Sequence, residues 1–292
     1  MAAYLPLALT CAAFVLHLLG ERRASILTRR PRDRRARRRA LTFYAGLATT
    51  VVALATPIDA FAQKLLWVHM IQHMLLLTVA APLIVLGVPW RSLWRPLPLG
   101  FRRPVARTVY CSAGFAPARA LASGLATPLG AWLVFTVGLY AWHLPAAYDL
   151  ALKNAGVHAL EHLTFMACGI LFWAQVTASP PARHRLSPPA RIAYVLAGSA
   201  TNVVLAAVLA FSPEALYPFY VHLLHRPGGI SALADQQIAA GIMWSAGDLP
   251  FGIAIAWLAH GWLSEHEART RALDEAFSPQ QIVASVPPLE RS

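Results

Sequence analysis

Charged residues and cysteines are both scarce in this chain of 292 residues. Asp, Glu, Lys and Arg make up 13% of the sequence, whereas soluble domains contain about 25%. The three cysteines form no Cys-x-x-Cys pair, which excludes a thiolate zinc finger and a dithiol redox centre. Apolar residues reach 57%. Together these proportions indicate a membrane protein that crosses the bilayer several times.

Long apolar runs, separated by segments rich in arginine and proline, predict the membrane-spanning helices. We expect the first run to be an uncleaved helix and not a signal peptide, because its basic residues follow the apolar stretch instead of preceding it. The expected fold is an all-α, polytopic membrane helix bundle. Its seven predicted spans are residues 4–20, 40–62, 65–88, 127–149, 156–178, 191–212 and 236–263.

The basic residues predict the orientation of the bundle. Lys and Arg in short connections stay on the cytoplasmic side, and 22 of the 25 fall in alternate connections or in the C-terminal segment. Seven spans with the N-terminus outside and the C-terminus cytoplasmic satisfy this rule. The predicted transmembrane domain is 1–263, with arginine-rich cytoplasmic loops at 21–39 and 89–126 and a polar, partly disordered tail at 264–292.

The two arginine-rich loops also explain the formal net charge of +12. In a soluble protein such a basic run would suggest nucleic-acid binding. Between membrane helices it is a topology signal and a contact for anionic lipid, so we expect no nucleic-acid partner. The loop 89–126, with its tryptophans and interspersed arginines, is expected to lie along the inner membrane surface.

Histidines concentrate on one side of the predicted bundle, since seven of the eleven map to its outer side. His69 with His73, and His158 with His162, are each four residues apart, which places both imidazoles on one face of a helix. Ionisable side chains inside a membrane are costly and are usually functional. We therefore predict that both pairs bind metal, with His143 near them at the outer end of the fourth span.

Methionines indicate which metal this site would bind. Met70 and Met74 lie within about 140° of His69 around the third predicted helix, at about 100° per residue. Imidazole combined with thioether sulfur suits copper, particularly Cu(I), whereas hard cations prefer carboxylate oxygens. The residues therefore predict a copper site on the outer side.

Three acidic residues accompany the histidines or lie within a span. Glu161, beside His162, is expected to orient a ligand or to bind metal itself. Asp235 opens the seventh span, where capping of that helix and a ligand role both fit the sequence. Asp248 lies well inside the same span, where an unpaired carboxylate is costly. Pairing with a histidine, proton transfer and hydrogen bonding to backbone freed by Pro250 all remain open for it.

Several blocks of sequence follow one another between about residue 40 and residue 263. They are 69–74 (HMIQHM), 82–89 (PLIVLGVP), 142–145 (WHLP) with Tyr148, 158–162 (HALEH) with Phe172 and Trp173, and 235–237 (DQQ) with Met243 and Trp244. In this order they resemble the caa3-type CtaG family of cytochrome c oxidase assembly factors. The blocks cover roughly three quarters of the chain.

The resemblance implies a multi-pass protein of the bacterial cytoplasmic membrane that is not an enzyme and that helps to build a haem–copper oxidase. The implied partners are an oxidase subunit and a copper donor on the outer side. Combined with the predicted site, it gives a hypothesis for copper transfer. Cu(I) enters from outside, exchanges between Met70 or Met74 and the histidine pairs, and passes laterally to the oxidase subunit.

Three other functions remain open at this point. Residues 158–162 match the His-x-x-Glu-His signature of zinc peptidases, although a second histidine pair is surplus to a three-ligand zinc site. Haem could use the same histidines as axial ligands, but it does not need two of them on one helix. A copper transporter could share the site, because the sequence does not show whether metal crosses the membrane.

Overall fold

The structure is a computed structural model, and it describes residues 4–28, 33–55, 57–182 and 186–276. Every regular element in these ranges is helical, which confirms the predicted all-α class. The helices are α1 (Leu5–Thr28), α2 (Arg34–Ala55), α3 (Pro57–Ala62), α4 (Leu66–Met74), α5 (Ala81–Gly87), α6 (Trp90–Trp94), α7 (Leu99–Cys111), α8 (Ala116–Leu125), α9 (Pro128–Trp142), α10 (Pro145–Lys153), α11 (Ala155–Thr177), α12 (Pro188–Phe211), α13 (Pro218–Val221), α14 (Ala232–Trp244) and α15 (Leu249–Ala276).

Several of these helices have the length and apolar character of membrane spans. Among the described residues there are five such segments, or six if the pair formed by 113–125 and α9, which meets at 86°, counts as one span. The predicted span 40–62 is divided between α2 and α3, and the first turns of α2 are rich in arginine. The protein is thus a helical membrane protein. The count of seven and the orientation of the termini stay predictions.

Two predicted polar segments are helical in the parts that the structure describes. In the loop 21–39, α1 continues to Thr28 and α2 begins at Arg34, and residues 29–32 lie outside the described ranges. The predicted tail begins as the end of α15, which runs to Ala276. Residues 277–292 of that tail also lie outside the described ranges.

The third predicted span contains an irregular turn, a π-helical segment over Leu75–Ala80 that joins α4 to α5. Pro82 has no N–H to donate to the preceding turn, and the Ala81 N–H bonds five residues back, to the carbonyl of Leu76. The Leu77 carbonyl is left without its usual helical donor. It accepts a hydrogen bond of 3.0 Å from the Trp173 indole, which fastens this turn to α11.

A glycine on α11 brings that helix close to the same turn. A Cβ atom on Gly169 would lie 2.7 Å from the Ala81 Cβ and 3.0 Å from the Leu77 carbonyl oxygen. Small residues at such contacts let membrane helices approach closely. The contact fixes the position of α11 relative to the span that contains α4, and these two helices carry the histidine pairs.

We predict that Gly169→Ala destabilises the protein by about 1–3 kcal/mol, because the added methyl group overpacks this contact. Gly241→Ala is the matched control, since a Cβ there meets no atom within 4 Å, and removing a helical glycine should stabilise by up to about 1 kcal/mol. Thermal unfolding in detergent measures both. Equal midpoints for the two variants would contradict the close contact at Gly169.

Candidate metal centre

The two histidine pairs meet in the interior of the bundle. His69 and His73 extend from α4, and His158 and His162 extend from the first turns of α11. Ring centroids lie 5.2 Å apart for His69 and His158, and 5.9 Å apart for His73 and His162. Ligand atoms of His69, His73, His162 and Glu161 all lie within 4.8 Å of one another, and all four residues are buried. These four are called the metal group below.

Glu161 is the negatively charged member of the metal group. Its carboxylate oxygens lie 3.5 Å from His73 Nε2, 3.7 Å from His69 Nε2 and 4.0 Å from His158 Nε2. The side chain is fully buried, yet neither oxygen has a hydrogen-bond partner among the residues that the structure describes. A buried carboxylate is strongly unfavourable unless a cation or donors compensate it. The geometry therefore suits a metal cation held between these ligands.

The nitrogens around Glu161 are also unpaired. Buried polar atoms nearly always have a hydrogen-bond partner, so a concentration of unpaired ring nitrogens is informative. Ring nitrogens that converge in this way without other partners are suited to binding a cation. The unpaired nitrogens are His69 Nε2, His73 Nδ1, His73 Nε2, His143 Nε2, His158 Nε2 and His162 Nε2.

Tyr220 determines which nitrogen of His69 is available. Its hydroxyl donates to the Ala62 carbonyl at 2.5 Å, so toward His69 Nδ1, at 3.2 Å, it acts as the acceptor. Burial, with the Asp235 carboxylate close by, raises the pKa of the Tyr220 phenol well above its usual value, so the hydroxyl keeps its proton. His69 then carries its proton on Nδ1 and presents an unprotonated Nε2 to Glu161, as a metal ligand must.

His143 lies at the edge of the metal group. It directly follows α9, and its ring centroid is 6.3 Å from that of His73. Its Nδ1 donates to the Leu139 carbonyl at 2.7 Å, so a neutral ring has its lone pair on Nε2. The structure thus brings all five predicted histidines to one place, with His143 outside the tightest set.

The predicted methionine ligands lie in the apolar core. Met70 and Met74 both belong to the main cluster of buried hydrophobic residues. A Cβ atom on Gly247 would lie 2.7 Å from Met74 Sδ, which places that sulfur beside the break between α14 and α15. Coordination by these two methionines stays a prediction.

Asp235 caps a helix distant from it in sequence. Its carboxylate oxygens accept from the backbone N–H groups of Leu66, at 2.9 Å, and Trp67, at 3.0 Å, and Arg226 Nε lies 3.6 Å away. The start of α14, which carries Asp235, is capped by Ser231 instead. Asp235 therefore positions α4, the helix of His69 and His73.

Asp248 lies at the break between α14 and α15, and its partners are not histidines. It accepts hydrogen bonds from Ser199 Oγ at 3.1 Å and from Asn202 Nδ2 at 3.2 Å. Asn202 also donates to the Met243 carbonyl at 2.9 Å. Asn202 thus donates hydrogen bonds to both the Asp248 carboxylate and a backbone carbonyl at the break. Asp248 therefore has a structural role, since it links the break to α12.

Sequence reasoning missed the connection between α12 and α14, residues 212–231, which was predicted to lie on the outer side, as part of the site. Arg226 pairs with Asp235 and donates to the carbonyls of Ile230, at 2.9 Å, and Tyr220. It thereby holds Tyr220 near His69. The available signal was that Arg226 is one of the three basic residues outside the predicted cytoplasmic connections and the C-terminal segment.

Comparison with known proteins identifies relatives of the chain. A family model described as cytochrome c oxidase caa3 assembly factor matches residues 19–265, a range that contains the metal group. Proteins of Mycobacterium bovis and Mycobacterium tuberculosis, described as uncharacterized, are each 24% identical over 225 residues, 77% of this chain and 34% of theirs. A protein of Mycobacterium leprae, also described as uncharacterized, is 23% identical over 241 residues, 80% of this chain and 35% of its own.

The chain thus spans about a third of the length of these curated relatives. No solved structure matches it.

We predict that Asp235→Ala destabilises the protein by about 1–3 kcal/mol, because it leaves Arg226 and two N–H groups of α4 without their acceptor. Asp235→Asn keeps one acceptor oxygen and should lose less. Thermal unfolding in detergent measures both, with Asp274→Ala on the exposed end of α15 as the control. A midpoint for Asp235→Ala equal to that of the control would show that this cap contributes nothing.

Proposed function

The chain belongs to the cytochrome c oxidase caa3 assembly factor family, and from this premise we propose that it binds copper at the metal group and supplies it to the oxidase. The single observation that carries the proposal is the buried, unpaired carboxylate of Glu161 among unpaired imidazole nitrogens. Imidazole is a good ligand for copper. Copper is here the cargo that the protein passes on, and the chain itself performs no chemical turnover.

The charge of the metal group favours the monovalent ion. With neutral imidazoles, Glu161 contributes one negative charge, so Cu(I) gives a neutral site and a divalent ion leaves one positive charge. Uncompensated charge is costly in an apolar interior. Cu(I) is therefore the ion that we propose for this site.

The exposure of the histidines supports entry past His158. About 10% of the His158 side chain is exposed, whereas those of His69 and His73 are fully buried. In the proposed path, a copper donor on the outer side delivers the ion to His158, and the ion then reaches the metal group. The Tyr220 hydroxyl holds the His69 ring in orientation, and the Leu139 carbonyl does the same for the His143 ring.

We place the protein in the bacterial cytoplasmic membrane, with the N-terminus and the metal group toward the outside. The arginine bias of the sequence supports this orientation. The partner is a subunit of the oxidase that receives the copper, and the assembly factor family supports this assignment.

The position of Glu161 disfavours a zinc peptidase. In that mechanism a glutamate beside the zinc ligands activates water at an open coordination position. Glu161 is instead fully buried, and one of its oxygens lies within 4.8 Å of ring nitrogens of His69, His73 and His162. This arrangement supports a role for Glu161 as a metal ligand, which fits binding better than hydrolysis.

The hairpin formed by α7 and α8 is proposed to contact anionic lipid. Neither helix has a buried residue, and Arg119 joins them by donating to the carbonyls of Val109 and Ser112. Arg103 and Arg107 are exposed, as are Phe101 and Tyr110. Basic and aromatic side chains on one exposed segment are typical of an interfacial position on a membrane of negative charge.

We predict that phosphatidylglycerol stabilises the wild-type protein more than Arg103→Gln/Arg107→Gln, because each arginine near an anionic surface contributes about 1 kcal/mol. Thermal unfolding in phosphatidylcholine nanodiscs with and without phosphatidylglycerol measures this difference. Arg271→Gln, on the exposed end of α15, is the control. An equal lipid effect on all three proteins would contradict a lipid contact of this hairpin.

Copper content tests the proposed function directly. After anaerobic Cu(I) loading, elemental analysis should find copper in the purified wild type and little in His69→Ala/His73→Ala or His158→Ala/His162→Ala. Glu161→Gln should bind at least roughly tenfold more weakly, because it removes the compensating charge. His222→Ala/His225→Ala changes exposed histidines of the outer connection and should bind as the wild type does. Zinc in place of copper, or no metal in the wild type, would overturn the proposal.

A further inference from the structure

An apolar cavity of about 250 Å³ lies beside the metal group, between α1, α2, α5 and α11. His162, a member of the metal group, lines it together with Met166. Its two threonines, Thr10 and Thr50, already donate their hydroxyls to carbonyls of their own helices. The cavity thus offers few groups that could bind a cation. Two of them, His162 and Met166, lie four residues apart on α11.

Met166 follows His162 by one helical turn. Residues four apart on a helix lie on one face, and long side chains lean toward the N-terminal end of their helix. Met166 and His162 therefore share one face of α11 and line the same cavity, and the buried His162 Nε2 has no hydrogen-bond partner among the described residues. Met166 packs at the edge of three separate hydrophobic clusters, so its flexible side chain lies where several helices meet.

We infer that His162 and Met166 form a second, softer copper position on the cavity side of α11. This inference rests on the proposed function and adds to it the place to which the ion moves next. A thioether with an imidazole suits Cu(I) and is a poor site for a hard divalent cation. The sequence suggested a thioether ligand from Met70 or Met74. In this inference the thioether comes from Met166 instead.

Shared use of His162 lets the ion move without being released. The ion leaves His69, His73 and Glu161 and gains the Met166 sulfur, while the His162 imidazole remains a ligand. Only coordinate bonds are exchanged, so neither the oxidation state of copper nor the protonation of any residue needs to change.

The position of the cavity gives this transfer a direction. The cavity is covered by α1, which is the least buried of the candidate spans, with 22% of its apolar window buried. The second position therefore lies on a side of the metal group that is separated from the bilayer by one helix, most of whose surface is exposed. It is suited to handing the ion to a membrane-embedded partner.

X-ray absorption at the copper edge tests the second position. The full chain, purified in detergent and loaded anaerobically with Cu(I), should show a sulfur neighbour of copper besides nitrogen or oxygen. Met166→Leu, which conserves volume, should lose the sulfur neighbour and keep the copper. Met243→Leu, a buried methionine with no proposed role, and Cys168→Ala should keep both.

Affinity provides a second measurement that a structural role of Met166 would not reproduce. Met166→Leu should weaken Cu(I) binding roughly tenfold, while Zn(II) binding changes by less than about twofold, because zinc gains little from a thioether. General damage to the bundle would lower both affinities together.

The outcomes separate this inference from the proposed function. Copper with a sulfur neighbour that only Met166→Leu removes supports the second position. Copper in the wild type without sulfur, or sulfur that is lost in Met70→Leu or Met74→Leu and kept in Met166→Leu, overturns the second position and leaves the proposed function standing. A wild type that binds no copper overturns the proposed function itself.

Discussion

A carboxylate buried among imidazoles is the constraint around which the metal group and the helices that carry it are arranged. Within the part of the chain that the structure describes, no group donates a hydrogen bond to Glu161, and the Nε2 atoms of three histidines lie 3.5–4.0 Å from its carboxylate. Such an arrangement is unfavourable in an apolar interior unless a cation completes it. In the proposed function, this buried charge is what would attract the ion to the metal group.

The surroundings of the metal group hold its ligands in place. Asp235 caps the first turn of α4, Arg226 pairs with Asp235, and the same arginine bonds the carbonyl of Tyr220. The Tyr220 hydroxyl in turn accepts from His69. These contacts join α14 and the connection between α12 and α14 to α4. Segments far apart in the chain therefore together determine the orientation of the His69 ring.

Local spacing predicted the parts of the site that lie on one helix. The histidine pairs were visible because a separation of four residues has one geometric meaning on a helix. The contact between Asp235 and α4 was not visible, because the acceptor Asp235 and the donor Leu66 are 169 residues apart. The irregular turn at 75–80 was also missed, since a proline such as Pro82 signals a disturbed helix without fixing which hydrogen bonds replace the lost one. Whether Met70, Met74 or Met166 faces the imidazoles depends on the rotation of each helix in the bundle, which periodicity alone does not determine.

The π-helical turn between α4 and α5 has a consequence for how this sequence can diverge. A π-helical turn holds one residue more than an α-helical turn, and each residue turns a helix by about 100°. Deleting one residue from 75–80 would restore a regular helix and rotate His69 and His73 away from α11, while the Trp173 indole would lose the free Leu77 carbonyl. The length of this segment is therefore as strictly constrained as the identity of the histidines that α4 carries.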